Sequence, residues 1–229
     1  MFHFKQFSIR QDYAAMKVGT DSDLLGALAE GGTRILDIGT GTGVLALMMA
    51  QRFPDAHITA IDIDADAIMD ASYNFSHSPF ADRLTLHHCS LKDFVNVNVG
   101  TFNAILCNPP YFDNSLEAPD KHRAIARHTS SLPFSQLIES TYHLLEAGGR
   151  FSVILPPEVL PNFSAEALIT GFSLKHCLKI KTVPGKTPKR YVLIYKKGYT
   201  ESTEEEYCLR NADGTFSDWH NQLLRDFLL

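Results

Sequence analysis

Ile35-Leu36-Asp37-Ile38-Gly39-Thr40-Gly41-Thr42-Gly43 leaves a short apolar run and enters an apolar, helix-forming stretch at Val44. Glycines at such a junction let the backbone turn tightly and approach a ligand that a side chain would exclude. The pattern predicts a strand over Thr33–Asp37, a ligand loop, and a helix over Val44–Arg52. Working outward, the alternation repeats. Strands are expected at Ala56–Asp62, Leu84–Cys89, Phe102–Cys107 and Arg150–Leu155, with a helix at Ala65–Phe75. A longer helix is expected at Leu132–Glu146, where Leu137, Ile138, Thr141 and Leu145 share one face and Gly148-Gly149 reads as its C-terminal cap. A helix at Phe163–Thr170 precedes two closing strands, Leu174–Thr182 and Tyr191–Lys196. The short joint Val183–Pro188 makes those two an antiparallel hairpin. Strands alternating with helices imply parallel βαβ units under a helical cover. The expectation is therefore an α/β fold: a mostly parallel seven-stranded sheet, helices on both faces, and an antiparallel C-terminal hairpin.

The chain's 229 residues suit a single domain. We expect a cap segment over 1–32, a core over 33–197 and a C-terminal extension over 198–229. Glu201–Glu206 reads as a solvated acidic turn, Asn211–Gly214 as a second turn, and Trp219–Leu228 as a terminal helix. With 45% hydrophobic and 21% charged residues, the composition is that of a globular chain rather than a disordered one. The longest wholly apolar stretch, Val44–Ala50, falls far short of the roughly 20 residues of a membrane helix. Met1–Tyr13 carries Lys5, Arg10 and Asp12 and shows no secretory pattern. The four cysteines stand apart with no C-x-x-C pair, which argues against zinc or disulfides and for a reducing cytoplasm. His87-His88 lie side by side on a strand, so they point to opposite faces and cannot share an ion. No metal is expected.

Net charge is −5, but it is unevenly spread. The strip Lys175–Lys197 holds eight cations (Lys175, Lys179, Lys181, Lys186, Lys189, Arg190, Lys196, Lys197) and no acid, leaving 13 cations against 26 acids elsewhere. A basic strip on an acidic body is an electrostatic footprint for nucleic acid, or simply a hairpin with solvated lysines.

The glycine loop and Asp62, nineteen residues beyond Gly43 at the end of the next strand, fit two cofactor classes. A carboxylate there can hold ribose hydroxyls in a dinucleotide or in S-adenosylmethionine. Two details favour the latter. The spacing is G-x-G-x-G, not the dinucleotide G-x-G-x-x-G. Asp37 before the loop suits a cofactor bearing an ammonium group and would repel a pyrophosphate.

Asn108-Pro109-Pro110-Tyr111 follows the fourth strand, at the edge where ligands of such sheets bind. The prolines fix the turn and remove N–H donors, so its carbonyls can only accept. The Asn108 side-chain oxygen and the Pro109 carbonyl can accept both hydrogens of an exocyclic or amide NH₂, and Tyr111 offers a face for a planar group. No general base is needed when the methyl donor is a sulfonium, because the nitrogen becomes acidic as it is alkylated.

With these motifs, about Met16–Leu155 resembles the Rossmann-like, class I methyltransferases that carry an N-P-P-Y amino-methylation motif. The head Phe4-Lys-Gln-Phe7, Met16-Lys-Val-Gly-Thr-Asp21 and Leu24-Leu-Gly26, with Ser78–Arg83 and Ala126–Thr129, is similar to the bacterial tRNA(Val) adenine-N6 methyltransferases. The resemblance implies that Asp37, Gly39 and Gly41 hold the methionine end of S-adenosylmethionine and Asp62 its ribose, with Thr20, Ile63, Ser90, Leu91 and Asn108 completing the cofactor site. It implies that Asn108 to Tyr111 grip the target amine, and that Lys17 and Arg127 meet substrate. Where such enzymes commonly have aspartate against the cofactor's adenine amine, this chain has Ser90, which can accept without the charge. Lys121–Arg123 with Arg127-His128 could clamp a phosphate or form a solvated loop. An RNA target gives weight to Lys189 and Arg190 of the basic strip.

The expected activity is methylation of an adenine N6 in tRNA, in the anticodon loop of tRNA(Val), by a monomeric cytoplasmic enzyme. The alternatives are an N5-glutamine protein methyltransferase, for whose helical N-terminal domain Asp37 comes too early, and another nucleic-acid amino-methyltransferase acting on DNA adenine or rRNA. A dehydrogenase is disfavoured by the glycine spacing, and a non-catalytic RNA-binding module requires the methyl-binding residues to be idle.

Overall fold

The structure, a computed structural model, describes residues 1–97, 101–110 and 132–228. In chain order it runs β1 (Phe2–His3), β2 (Ser8–Ile9), α1 (Thr20–Leu28), β3 (Arg34–Ile38), α2 (Val44–Arg52), β4 (His57–Asp62) and α3 (Ala65–Ser76). A 3₁₀ turn (Ala81–Arg83) leads to β5 (Leu84–His88), α4 (Leu91–Val95) and β6 (Phe102–Cys107). Then follow α5 (Phe134–Leu144), β7 (Leu145–Leu155), α6 (Leu160–Thr170), β8 (Phe172–Lys181), β9 (Arg190–Lys197), β10 (Thr203–Cys208) and α7 (Asp218–Leu224). No described helix is long and apolar enough to cross a membrane.

The described strands form an eight-stranded sheet in the order β10-β8-β9-β7-β6-β3-β4-β5, beside a small hairpin of β1 and β2. Strands β7, β6, β3, β4 and β5 are parallel, while β9 runs antiparallel to both β7 and β8. The central strands read as continuous apolar runs because both faces are covered: Ile35 and Leu36 on β3 and Ile105 and Leu106 on β6 are fully buried. One core lies under α1, α2 and the N-terminal phenylalanines Phe4 and Phe7, the other under α5 and α6 around Phe151, Phe163 and Phe172.

Two expectations are corrected. The sheet has eight strands and not seven, because the acidic stretch Glu201–Glu206 is no turn: its residues 203–206 open β10, parallel to β8. There Glu204 pairs with Lys179, and Glu206 with Lys181 at 2.5 Å, so acids that look solvated in the sequence neutralise the neighbouring strand. Gly148-Gly149 does not cap α5, which ends at Leu144 and passes straight into β7. Instead Gly148, at φ +77°, lets β7 bulge between the pairs Phe102↔Leu145 and Ala104↔Arg150.

Candidate active site

The carboxyl ends of β6, β3, β4 and β5 lie side by side, with Ile38 opposite Cys107 and Asp62 opposite His88. Asn108, the glycine loop, Ile63 and Ser90 thus share one shelf, about 14 Å across at three strand spacings. Every expected cofactor residue on these strands arrives there: Asp37, Gly39, Gly41, Asp62, Ile63, Ser90, Leu91 and Asn108.

Asp37 is fully buried. Its Oδ2 accepts a 2.6 Å bond from the Thr40 hydroxyl, but its buried Oδ1 has no partner among the described residues. Burial pushes its pKa up to about 7, aided by the charge of Asp62 and opposed by the Thr40 bond and the nearby Ala46 amide. A buried, half-satisfied carboxyl group is a position that awaits a donor. Beside it, no atom of the described residues lies within 4 Å of a Cβ added at Gly39 (φ +70°) or Gly41 (φ +57°). Open space over bare backbone is where a ligand can lie against the loop. Gly43 (φ +83°) has another task, since a Cβ there would meet the Phe75 ring at 2.4 Å.

Asp62 is half-buried. Its Oδ2 accepts from the Gly41 amide at 2.8 Å and its Oδ1 from the Asp64 amide at 2.9 Å, while burial raises its pKa. These bonds brace the loop and leave carboxylate lone pairs for hydroxyl donors. The buried Cys107 thiol is pushed well above its usual range, by burial and then by Asp37 and Asp62, so it stays neutral. Ser90 caps α4: its hydroxyl accepts from the Asp93 amide at 3.1 Å and donates to the Asp93 carboxylate at 2.6 Å. The charge missing at position 90 therefore stands one turn away, at Asp93. Sequence reasoning passed over Asp93, although S-x-x-D at a helix start is a capping signature.

Asn108 is half-buried, Pro109 buried and Pro110 exposed at the mouth of the shelf. Tyr111, Arg127 and the Lys121–Arg123 and His128 cluster lie outside the described residues. Thr20 opens α1, and Lys17 is exposed just before it, its ammonium on the Gln11 carbonyl. Lys189 and Arg190 reach the same edge because β9 is antiparallel, with Tyr191 opposite Leu155 at the end of β7. Arg190 is engaged there by both oxygens of Asp21, at 2.9 and 2.8 Å.

Two further residues place the N-terminal strap beside the loop, and sequence reasoning missed both. Buried Asp70 accepts from the amides of Tyr13 and Ala14 and from Arg10 Nε. Buried Asn74 accepts from the Arg10 amide and donates to the carbonyls of Arg10 and of Thr42 in the glycine loop. Polar residues on the inner face of a helix were the available signal.

The family described as "Methyltransferase small domain" matches residues 13–160. A tRNA1(Val) (adenine(37)-N6)-methyltransferase of Phocaeicola vulgatus is 42% identical over 230 residues, covering 100% of this chain and 97% of that protein. Its namesake from Vibrio parahaemolyticus is likewise 42% identical, over 100% of this chain and 95% of that protein. The chain belongs to the tRNA1(Val) (adenine(37)-N6)-methyltransferase family. Among solved structures, a predicted O-methyltransferase from Agrobacterium tumefaciens superposes with a TM-score of 0.69 at 18% identity, over 90% of this chain and 96% of that one. That likeness shows the Rossmann-like methyltransferase fold. In this methyltransferase, Asp37 Oδ1 and the open backbone at Gly39 and Gly41 fit a cofactor with an ammonium group, and the two brace points of Asp62 fit a ribose.

Proposed function

We propose that this chain methylates N6 of adenine 37 in tRNA1(Val), with S-adenosylmethionine as donor. The observation that carries the reading is the buried Oδ1 of Asp37, without a hydrogen-bond partner among the described residues, beside glycine backbone those residues leave open, one strand away from Asn108-Pro109-Pro110. When bound, the cofactor supplies an electrophilic methyl group on a sulfonium. Asp37 holds the ammonium end, Asp62 the ribose hydroxyls, and Ser90 with Leu91 and Ile63 the adenine end. Thr20, on the neighbouring helix start, closes the methionine side. At the mouth, the Asn108 side-chain oxygen and the Pro109 carbonyl accept the two N6 hydrogens, which turns the nitrogen lone pair toward the methyl group. Pro110 stiffens that turn, and Tyr111 stacks on the base. Lys17, Arg127 and Lys189 meet tRNA. Asp93 steadies Ser90 and adds negative charge where a donor is to be met.

We further propose that the chain acts as a monomer and as a single unit; the shared packing of the N-terminal strap (through Phe4 and Ile9) and the C-terminal segment (through Leu224 and Phe227) in one core supports the single unit. Its proposed place of action is the cytoplasm, where tRNA is modified. The test is methyl transfer from labelled cofactor to an unmodified tRNA1(Val) transcript, beside a transcript with guanine at position 37, duplex DNA, and protein from unmodified cells. Label in the adenine-37 transcript alone is expected. Label in DNA, in protein, or in the guanine-37 transcript overturns the reading.

A further inference from the structure

The eight cations of the basic strip are not equivalent in the fold. Lys175 bonds Glu30 at 2.6 Å, and Lys179 and Lys181 pair with Glu204 and Glu206 of β10. Lys197 donates to the carbonyls of Tyr142 and Leu145, each at 2.7 Å. Arg190 is held by Asp21. Lys196 is half-buried at the far end of β9, opposite Arg150 and Ser173. What remains is the β8–β9 turn, where Lys186 and Lys189 are exposed and, among the described residues, form no ion pair.

That turn is built to keep its shape. Val183-Pro184-Gly185-Lys186 has proline and then glycine at φ +78° in its two central positions, the residues a type II turn asks for, and the Lys186 amide points to the Val183 carbonyl at 3.4 Å. Pro188 restricts the return, and the Lys189 amide closes on the Ile180 carbonyl at 2.8 Å. Arg190 then does two things: its Nη1 donates to the Lys189 carbonyl at 2.7 Å, and its Nε reaches Asp21 in the first turn of α1. The turn stands at the carboxyl edge, because Tyr191 faces Leu155. The end of β9 from which the turn departs lies two strand spacings from β6, about 10 Å across the sheet.

We propose that this turn is the rim on which the tRNA backbone is gripped. Lys186 and Lys189 meet phosphates there, and Arg190 is a positioning residue that acts through Asp21. The inference rests on the functional reading above and refines it: the strip contributes two phosphate contacts, not eight, and Arg190 is not one of them. A phosphate approaching Lys179 or Lys181 would have to displace a carboxylate already in place. One approaching the turn displaces only water and counterions. The Asp21–Arg190 latch ties the backbone that carries Lys189 to the first turn of α1.

The test measures tRNA binding by the full chain across a salt series, together with steady-state methylation of unmodified tRNA1(Val). Lys186→Ala and Lys189→Ala are each expected to lower the slope of log affinity against log salt by about one unit. Lys179→Ala and Lys181→Ala, whose charges are spent on β10, are expected to leave it unchanged. Arg190→Asp is expected to raise KM for tRNA roughly two- to fivefold, the scale of a half-exposed ion pair. The exchanged pair, Asp21→Arg with Arg190→Asp, restores it. A phosphate-binding Arg190 would not be rescued by moving its charge to α1, so an unrescued, folded exchange variant overturns the latch. Should the exchange variant lose its cofactor-binding heat, Asp21→Asn alone must raise KM as Arg190→Ala does, with the double variant no worse than either; an unchanged or lowered KM in Asp21→Asn overturns the latch. Active enzyme with the wild-type slope in both lysine variants overturns the rim while leaving the function intact. No methylation of tRNA by the wild-type chain overturns the functional reading itself.

Discussion

If Asp37 holds the cofactor's ammonium group as proposed, its pKa of about 7 in the free protein makes cofactor binding a proton-linked event. To hold an ammonium group, Asp37 must be ionised, and the apparent dissociation constant is the intrinsic one divided by the ionised fraction. That fraction is about three quarters at pH 7.5 and about one in thirty at pH 5.5, so affinity for S-adenosylmethionine should fall roughly 25-fold across this interval. One proton should leave per ligand bound near pH 6, measurable by calorimetry in two buffers of different ionisation enthalpy. Asp37→Asn resembles the protonated form: it should bind weakly at every pH and converge with the wild type near pH 5.5. The same shift acts on stability with a definite sign. A carboxyl whose folded pKa is raised from 3.8 favours the folded state below pH 3.8, and that contribution is lost as pH rises to about 7. Without cofactor, Asp37→Asn should therefore be the more stable protein at pH 8, by at most about 4 kcal/mol, with the advantage gone at pH 4. A flat wild-type affinity between pH 5.5 and 7.5, with no proton released, would refute the reasoning: Asp37 would then be charged before the cofactor arrives, or turned away from it.

Asn108→Ala should lower kcat by about 10²–10³-fold with near-normal tRNA affinity, since its acceptor counts most as the nitrogen turns tetrahedral; a wild-type single-turnover rate would exclude that role. Asp62→Ala should weaken S-adenosylmethionine binding by roughly 1–3 kcal/mol and loosen the loop amide of Gly41, and titration calorimetry finding unchanged affinity counts against the ribose assignment. For Asp70, burial opposes the charge, but the amides of Ala14 and Tyr13 and the Arg10 side chain more than offset it and hold the pKa below the usual value. Its stabilisation is present above the unfolded pKa and disappears as pH falls through the folded one. Asp70→Asn should lower the thermal midpoint at pH 7 and not at pH 2, and equal losses at both would assign the effect to packing.

What the sequence reveals here is what local patterns encode. Val44–Arg52 and Phe102–Cys107 match the observed α2 and β6 residue for residue, and the shelf residues follow because each loop of a parallel sheet delivers its ligand-facing side chains to one edge. The failures involve partners distant in sequence. Glu204 looks solvated until β10 is laid beside β8, and Arg190 looks available until Asp21, 169 residues away, is brought to it. The glycines after α5 resemble a cap because the bulge they serve is defined by another strand, β6. Charge along a chain measures what a segment carries; pairing across the fold decides what it offers.

The same long-range contacts explain why the cofactor loop needs no ordering step. Gly39 and Thr40 donate to the Ile61 carbonyl at 2.9 and 3.0 Å, Gly41 donates to Asp62, and the Gly43 amide closes on Thr40 at 2.8 Å. From the other side, buried Asn74 holds the Thr42 carbonyl and, through Arg10, the strap that ends at Thr20. Every loop residue from 39 to 43 is thus tied by its own backbone before ligand arrives, at the positive φ angles that only glycine tolerates at 39, 41 and 43. A loop so fixed loses little conformational entropy on binding. The free energy of the proposed ammonium–Asp37 contact would then appear as affinity instead of being consumed in ordering the loop, which is why the protonation of one buried carboxyl should be legible in the binding curve.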